Sequence, residues 1–483
     1  MELILIPIIA GVLAALAGKQ SRWVALAGSL VSLGITLFWL AGFRYGASFQ
    51  YVFDKAWFSQ GIHFRTGVDG ISMVLLLLTN ILVPVILLSA LRNDKRNAAT
   101  LFALIVGMQG ALNGVFLALD GLMFYIFWEL ALIPVYFICA LWGEGNAFRT
   151  TLKFFIYTFI GSLAMLASLI FLYSRTPDPS SFGYEALLAV NLNHTEAIWV
   201  GAGILLAFAV KIPMLPLHSW QPDTYSEAPA QGSMLLSGIM LKMGLYGLIR
   251  WFFPLVPEAL NVFGPVLIAS GVIGVLYGAL IAIRQNDMKR LVAFSSLSHV
   301  GLIAAGIATV SVEGMQGAVL QMFTHGVNVV GLFLAIEVIQ SRAMTRNLDA
   351  LGGIAKQAPV FAVFFLLLVL GTTAVPFTNG FPGELLLLKA TFGYKAVWGI
   401  LAGITIILCA VYMLRMYQFS MLGKPSGGIY LFPDLRWNEW MAFGILALLV
   451  LWTGLFPQYL LDLCGPAIQK TMKGILDSTG VVS

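Results

Sequence analysis

LLAFAVKIPMLPLHSWQPDTYSEAP, residues Leu205 to Pro229, begins as an apolar helix, places an ammonium at Lys211 and then meets two prolines, Pro213 and Pro216. A soluble helix would put that lysine in water. The rest of the chain removes this option. Of its 483 residues, 59% are hydrophobic and 10% are charged, against roughly 25% charged in an average soluble domain. Apolar runs of about 20 residues, the length that spans a bilayer, recur almost end to end. No stretch long enough for a soluble domain is polar enough to solvate itself. The chain therefore reads as an all-α polytopic membrane protein, and Lys211 has to be explained inside the membrane.

Working outward from that stretch, spans fall near 2–17, 23–42, 70–91, 98–118, 121–141, 152–174, 197–220, 229–251, 262–283, 289–309, 312–339, 357–393, 395–420 and 438–460, about fourteen transmembrane helices. The N-terminus lacks the basic segment of a signal peptide and reads as a retained first span. The run at 357–393 is too long for one crossing and contains TTAVPFTNGFPGE, so it reads as one interrupted helix. Lys and Arg number sixteen in the loops after odd-numbered spans and eight on the other side, Arg250 among the eight and Lys95, Arg96 and Lys289 among the sixteen. The positive-inside rule then puts the odd loops in the cytoplasm and both termini on the other side, the periplasmic one where the membrane is a bacterial inner membrane.

The net charge of +5 is dispersed over loops, which excludes a nucleic-acid surface. The three cysteines, Cys139, Cys409 and Cys464, form no CxxC or Cys/His cluster, and no cofactor motif is present. What remains is a set of ionisable groups at mid-membrane depth: Glu129, Lys211, Lys242, His299, His325 and Glu384, on six different spans. Lys389 is nearer a span end and can snorkel. A charge at the bilayer centre costs roughly 2.5–3.5 kcal/mol, so these groups must face the interior, pair or be wetted. One account is a set of buried structural ion pairs and satisfied histidines. The other is a proton path, because each group can take up and release a proton.

The breaks favour a path. Pro213 and Pro216 interrupt span 7, and Gly380, Pro382 and Gly383 interrupt span 12 just before Glu384. Spans 4–8 and 9–13 form two blocks of five, and each break falls on the fourth member. An odd number per block makes these two inverted five-helix repeats, with broken helices 7 and 12 at matching positions, a pointer to a transporter's site. The chain then divides into 1–97 (spans 1–3), 98–251 (first repeat), 262–420 (second, inverted repeat) and 421–483 (last span and tail).

FWELALIPVYFICALWG at 127–143, KIPMLPLHSWQPDTYSEAP at 211–229, GIMLKMGLYGLIR at 238–250 and GFPGE at 380–384 resemble the antiporter-like membrane subunits of respiratory complex I, from about residue 65 to 460. Glutamate at position 384 and a chain ending about twenty residues after the last span resemble the M type of these subunits. The resemblance implies proton translocation in a NADH:quinone oxidoreductase, with L-type and N-type paralogues as neighbours in the lipid bilayer. It also implies no cofactor in this chain, with FMN, iron–sulfur clusters and quinone in partner subunits. It implies that Glu129 pairs with Lys211, that Lys242 is the central channel lysine, that His299 and His325 are relay positions, and that Glu384 leads to the exit. His218, Asp223 and Glu227 fit capping and loop bonding as well as proton uptake. A subunit of a multisubunit Na+/H+ antiporter or of a membrane-bound hydrogenase shares these features. A single-chain secondary transporter would cluster its polar groups at one place, and a purely structural anchor would not bury charges.

Overall fold

The computed structural model describes residues 1–59, 61–92, 97–177, 179–424 and 431–479. Lys95 and Arg96, counted above for orientation, lie outside the described residues. The helices in order are α1 (Glu2–Leu16), α2 (Ser21–Ala41), α3 (Gly70–Ala90), α4 (Ala98–Leu117), α5 (Gly121–Trp142) and α6 (Ala147–Arg175). Span 7 is split into α7a (His194–Lys211) and α7b (Gln221–Glu227), followed by α8 (Ala230–Leu255), α9 (Leu260–Arg284), α10 (Met288–Ala308) and α11 (Val312–Ala343). Span 12 is split into α12a (Pro359–Thr372) and α12b (Gly380–Tyr394), followed by α13 (Ala396–Met421), α14 (Trp437–Leu455) and α15 (Gln458–Thr479).

Among the described residues, twelve helices are long and apolar enough to cross a membrane. The fourteen expected spans differ from these by α1 and α12a, which are apolar but shorter. Two elements were not foreseen. The polar segment after α2 forms an antiparallel hairpin of β1 (Gln50–Ser59) and β2 (Ile62–Val68), with Asp54 opposite Arg65. The C-terminal tail is the helix α15, which buries Leu460, Leu463, Cys464, Ala467, Ile468, Met472 and Ile475 and leaves Lys470 and Lys473 outside. That spacing of three and four is the stripe of an amphipathic helix.

The helices form a ring around a centre. α8 and α10 are buried along their whole apolar length and α3 and α11 nearly so, whereas α2, α6, α13 and α14 present large apolar faces outward. Phe38, Ile160, Trp199, Leu280, Val363, Ile407 and Leu448 lie on that outer surface. An apolar exterior around a polar-containing centre is the arrangement a bilayer requires. Small residues let the central helices approach. A Cβ on Gly271 of α9 would lie 2.6 Å from the carbonyl oxygen of Gly301 on α10, and one on Gly301 would lie 2.6 Å from that of Gly271.

Side-chain caps fix several helix starts. Asp69 accepts from the Ser72 amide at α3, Asp120 from those of Leu122 and Met123 at α5, and Asp287 from that of Arg290 at α10. Two loop assignments change. Arg250 is not at the surface but buried against the Asp69 carboxylate. Lys289 is 1% exposed and donates to the Ala228 carbonyl.

Gly271→Val should wedge α9 from α10 and destabilise the fold by roughly 1–3 kcal/mol. A lower midpoint for thermal aggregation in detergent checks this, and an unchanged midpoint would mean that the contact is not tight.

Candidate functional site

α7a ends at Lys211 and residues 212–220 are unwound, so the break falls at Pro213 and Pro216 as the sequence indicates. The Ile212 amide bonds Phe208 O at 2.8 Å and the Met214 amide reaches back to Ala209 O at 2.9 Å, while φ at Pro213 is +24°. The Val210 carbonyl is taken by the Trp220 indole at 3.0 Å. A protein group, not only water, thus satisfies a carbonyl freed by the break.

The second break is built the same way. The Thr373 amide bonds Val369 O at 2.9 Å, the Val375 amide bonds Leu370 O at 3.2 Å, and Ala374 has φ +53°. Ile212 (φ −77°, ψ 3°) and Thr373 (φ −79°, ψ 4°) have nearly the same backbone. The breaks therefore match residue for residue, with Lys211 at the position of Thr372 and Pro213 at that of Ala374. The sequence placed this break at Gly380, Pro382 and Gly383. The structure moves it to Thr373–Asn379 and puts those residues in the first turn of α12b. A helix's first amides have no intrahelical acceptor, so a proline there costs no hydrogen bond. Gly383 instead permits a close approach, since a Cβ there would meet Gln321 Oε1 of α11 at 2.5 Å.

Lys211 is 2% exposed. Its ammonium lies 5.1 Å from the centre of the Trp128 ring and has no hydrogen-bond partner among the described residues. Trp128 is itself fixed by Phe124 and Phe208, at 5.6 and 5.4 Å. No direct Glu129–Lys211 ion pair is present among the described residues, and Glu129 is half-buried. Adjacent helical residues point about 100° apart, and Trp128, not Glu129, takes the direction toward the lysine.

Lys242, His325 and His299 come together on the enclosed helices α8, α11 and α10. The Lys242 ammonium is 2.9 Å from His325 Nδ1 and donates to the Ser237 carbonyl at 2.5 Å. Lys242 follows a π-helical segment, Leu236–Met240, where the α-helical ladder is interrupted. The His325 and His299 rings are 5.9 Å apart, and His299 Nε2 lies 3.5 Å from Cys409 Sγ, which in turn meets the Thr372 carbonyl of the second break at 3.5 Å. A cavity of about 10 Å³ between the histidines, Gln321, Asn328 and Thr372 has room for about one water molecule.

Glu384 is 3% exposed on α12b, and its Oε1 has no hydrogen-bond partner among the described residues. Cys409 and Tyr412 lie on α13, and the Ser295 hydroxyl donates to Tyr412 at 3.2 Å. Among the described residues, several buried polar atoms without a protein partner lie near the two breaks, Lys211 Nζ and Gln221 Oε1 at the first, His299 Nδ1, Asn328 Oδ1, Asn379 Oδ1 and Glu384 Oε1 at the second, while others such as Gln109 Oε1 and Asn438 Oδ1 lie elsewhere. Cys409, Tyr412, Ser295, Asn328 and Asn379 were not singled out from sequence. Their signal was a neutral polar group in an apolar run, which a search for ionisable groups passes over.

The remaining candidates are bound into loops. Asp223 pairs with Arg290 at 3.2 Å and Lys153 at 3.6 Å, and Glu227 accepts from the Asn146 amide at 3.2 Å. His218 packs edge-on to Tyr277. Lys389 pairs with Glu313 at 3.0 Å in an exposed position. Among the described residues, no group of three or more His, Cys, Asp and Glu side chains could hold a metal ion.

A helical bundle with two matched broken helices and a buried basic–imidazole row defines a polytopic membrane subunit of transporter type. The chain belongs to the NADH:quinone oxidoreductase/Mrp antiporter transmembrane family, whose profile matches residues 118–409. Within it the chain sits with the M-type subunits. It is 35% identical to NADH-quinone oxidoreductase subunit M of Rickettsia conorii, over 93% of this chain and 92% of the relative. It is 37% identical to F(420)H(2) dehydrogenase subunit M of Methanosarcina mazei, over 90% of each. A chain of respiratory complex I from Thermus thermophilus superposes with a TM-score of 0.92 at 30% identity, covering 98% of this chain and all of that one.

Truncating Trp128 to Ala should cost about 3–5 kcal/mol, as for large buried side chains, and Trp128→Phe should restore most of it by keeping a ring under Lys211. Unfolding of the purified subunit followed by tryptophan fluorescence separates the two; equal losses would remove the ring's role in holding the ammonium.

Proposed function

We propose that this chain carries protons across the membrane as the M-type antiporter-like subunit of a NADH:quinone oxidoreductase, through Lys211, Lys242, His325, His299 and Glu384. The observation that carries the proposal is the 2.9 Å contact between Lys242 and His325 inside four enclosed helices. Two groups that share one hydrogen bond can exchange a proton along it without crossing hydrocarbon. Lys211 supplies the preceding station at the first break. Glu129, on the same helix as Trp128 and half-buried, is placed to act on Lys211 without direct contact. Beyond His299, the cavity and the unpaired oxygens of Asn328 and Asn379 support a wetted link to Glu384.

The M-type membership supports L-type and N-type paralogues as neighbours, and flavin, iron–sulfur and quinone chemistry in other subunits. The loop charge bias supports both termini on the side away from the cytoplasm, and M-type relatives such as that of Rickettsia conorii support a bacterial inner membrane. A second electron input is favoured by one finding, the F(420)H(2) dehydrogenase subunit at 37% identity. Under that reading the proton path is unchanged and only the peripheral donor module differs. Co-purification decides: flavin and iron–sulfur subunits that oxidise NADH support the first donor, and ones that oxidise F(420)H(2) the second.

Lys242→Ala should abolish most coupled proton transfer in reconstituted vesicles. Lys242→Arg should be as damaging although it keeps the charge, because a guanidinium does not deprotonate. Normal pumping by the arginine variant would make Lys242 a structural counter-ion. Glu129→Gln should assemble and pump at a strongly reduced rate, measured as protons moved per NADH oxidised; full pumping would remove Glu129 from the path.

A further inference from the structure

The proton path leaves a cavity of about 330 Å³ unused, a size that takes a small ligand. It lies where α3 begins, α8 ends and α9 begins, with α15 along its side. These helix ends share the face opposite the Lys- and Arg-rich loops, and a span end lies at the depth of the lipid headgroups.

Arg250 is 3% exposed and lines this cavity. Its Nη2 is held by the Asp69 carboxylate and its Nε by the Tyr246 hydroxyl at 3.4 Å, whereas Nη1 has no hydrogen bond to the protein among the described residues. The rings of Phe49, Tyr184 and Tyr246, at 5.2, 5.8 and 5.7 Å, keep the guanidinium in place. A buried guanidinium fixed along one edge, with a nitrogen left over, suits an acceptor in the space it lines. Lys470 of α15, 6.0 Å from the centre of the Phe49 ring, brings a second cation to the same wall.

The charges of the wall select the ligand. Asp69 is paired with Arg250, and Glu185 with Arg65. Lys470 and Glu258, of opposite sign, are left as its unpaired charges among the described residues. A free phosphate gains no net attraction from such a wall, whereas a ligand carrying a phosphate and an ammonium meets both signs. An apolar exit adjoins the charges. Glu258 stands in the turn Pro257–Ala259 that opens α9, and Val262 and Val266 follow it at one-turn spacing on the exposed side of that helix.

We infer that this cavity holds the headgroup of a zwitterionic phospholipid with a primary ammonium, of the phosphatidylethanolamine class. The phosphate accepts from Arg250 Nη1 and the Lys470 ammonium, the lipid ammonium donates to Glu258, and an acyl chain lies against Val262 and Val266. A primary ammonium has N–H groups for the carboxylate, and a choline headgroup has none. Bound there, the lipid ties α15 to the start of α9.

The test uses the assembled complex in phosphatidylcholine nanodiscs, with trace phosphatidylethanolamine or phosphatidylcholine that carries a diazirine on one acyl chain. After illumination, labelled peptides are read by mass spectrometry. The ethanolamine probe should label the first turns of α9 several-fold more than the choline probe. Glu258→Gln and Lys470→Gln should each bring it down to the choline level, and retention of all subunits on purification shows that these variants fold. Equal labelling by the two probes in the parent, or folded variants that label as the parent does, overturn the lipid site. Unlabelled phosphatidylethanolamine should protect α9 and soluble phosphoethanolamine should not. Equal protection by the soluble compound assigns the site to a water-borne occupant and overturns the lipid.

Discussion

Enclosing charge within hydrocarbon is the constraint on which this architecture depends. A lysine at mid-membrane facing lipid costs several kilocalories per mole, so helices that carry one must be covered on every side. α8, α10 and α11, which bear Lys242, His299 and His325, are the helices that the ring of outer helices covers. The cover is possible because glycines at the crossings, such as Gly271 against Gly301, allow backbones to meet. With the polar row sealed from lipid, the outer helices can be apolar outward without further specialisation.

The two breaks solve a related problem. A continuous helix satisfies all its own backbone groups and offers a passing proton nothing. An unwound segment exposes them, and at membrane depth each must find a partner within the protein or a cavity. Here the same six-residue turn, 209–214 and 370–375, ends both half-helices around Lys211 and Thr372. Beyond the turn the two differ. Trp220 closes the first break by taking the Val210 carbonyl, whereas Cys409 and unpaired amide oxygens line the second. One backbone device thus carries two chemical environments, a held ammonium in one and a small polar pocket in the other.

The buried charges also differ in how they are held. Lys211 rests on an aromatic face and Lys242 on an imidazole and a carbonyl, both partners that tolerate a neutral amine. Arg250 is held by a carboxylate, a partner that favours permanent charge. The relatives named for NADH-quinone oxidoreductase and for F(420)H(2) dehydrogenase share the same subunit type at similar identity.

The sequence by itself determined the class of fold and most of the row. Apolar runs of bilayer length leave few alternatives, and an ionisable residue inside one must be interior whatever the packing, so Lys211, Lys242, His299, His325 and Glu384 were legible one by one. Prolines marked both breaks, although Pro382 shifted the second by a turn, because proline is equally at home in a helix's first turn. Which groups meet was decided only by the tertiary structure. Trp128 and Glu129 are neighbours in sequence, and the rotation of α5 alone chooses the ring for Lys211. Arg250 counts as a loop charge until α3 brings Asp69 beneath it. Cys409 and Thr372 lie on different helices and touch only because α13 packs across the break. Contacts of this kind depend on which helix faces are turned toward one another, and periodicity along a uniformly apolar helix carries little information about that.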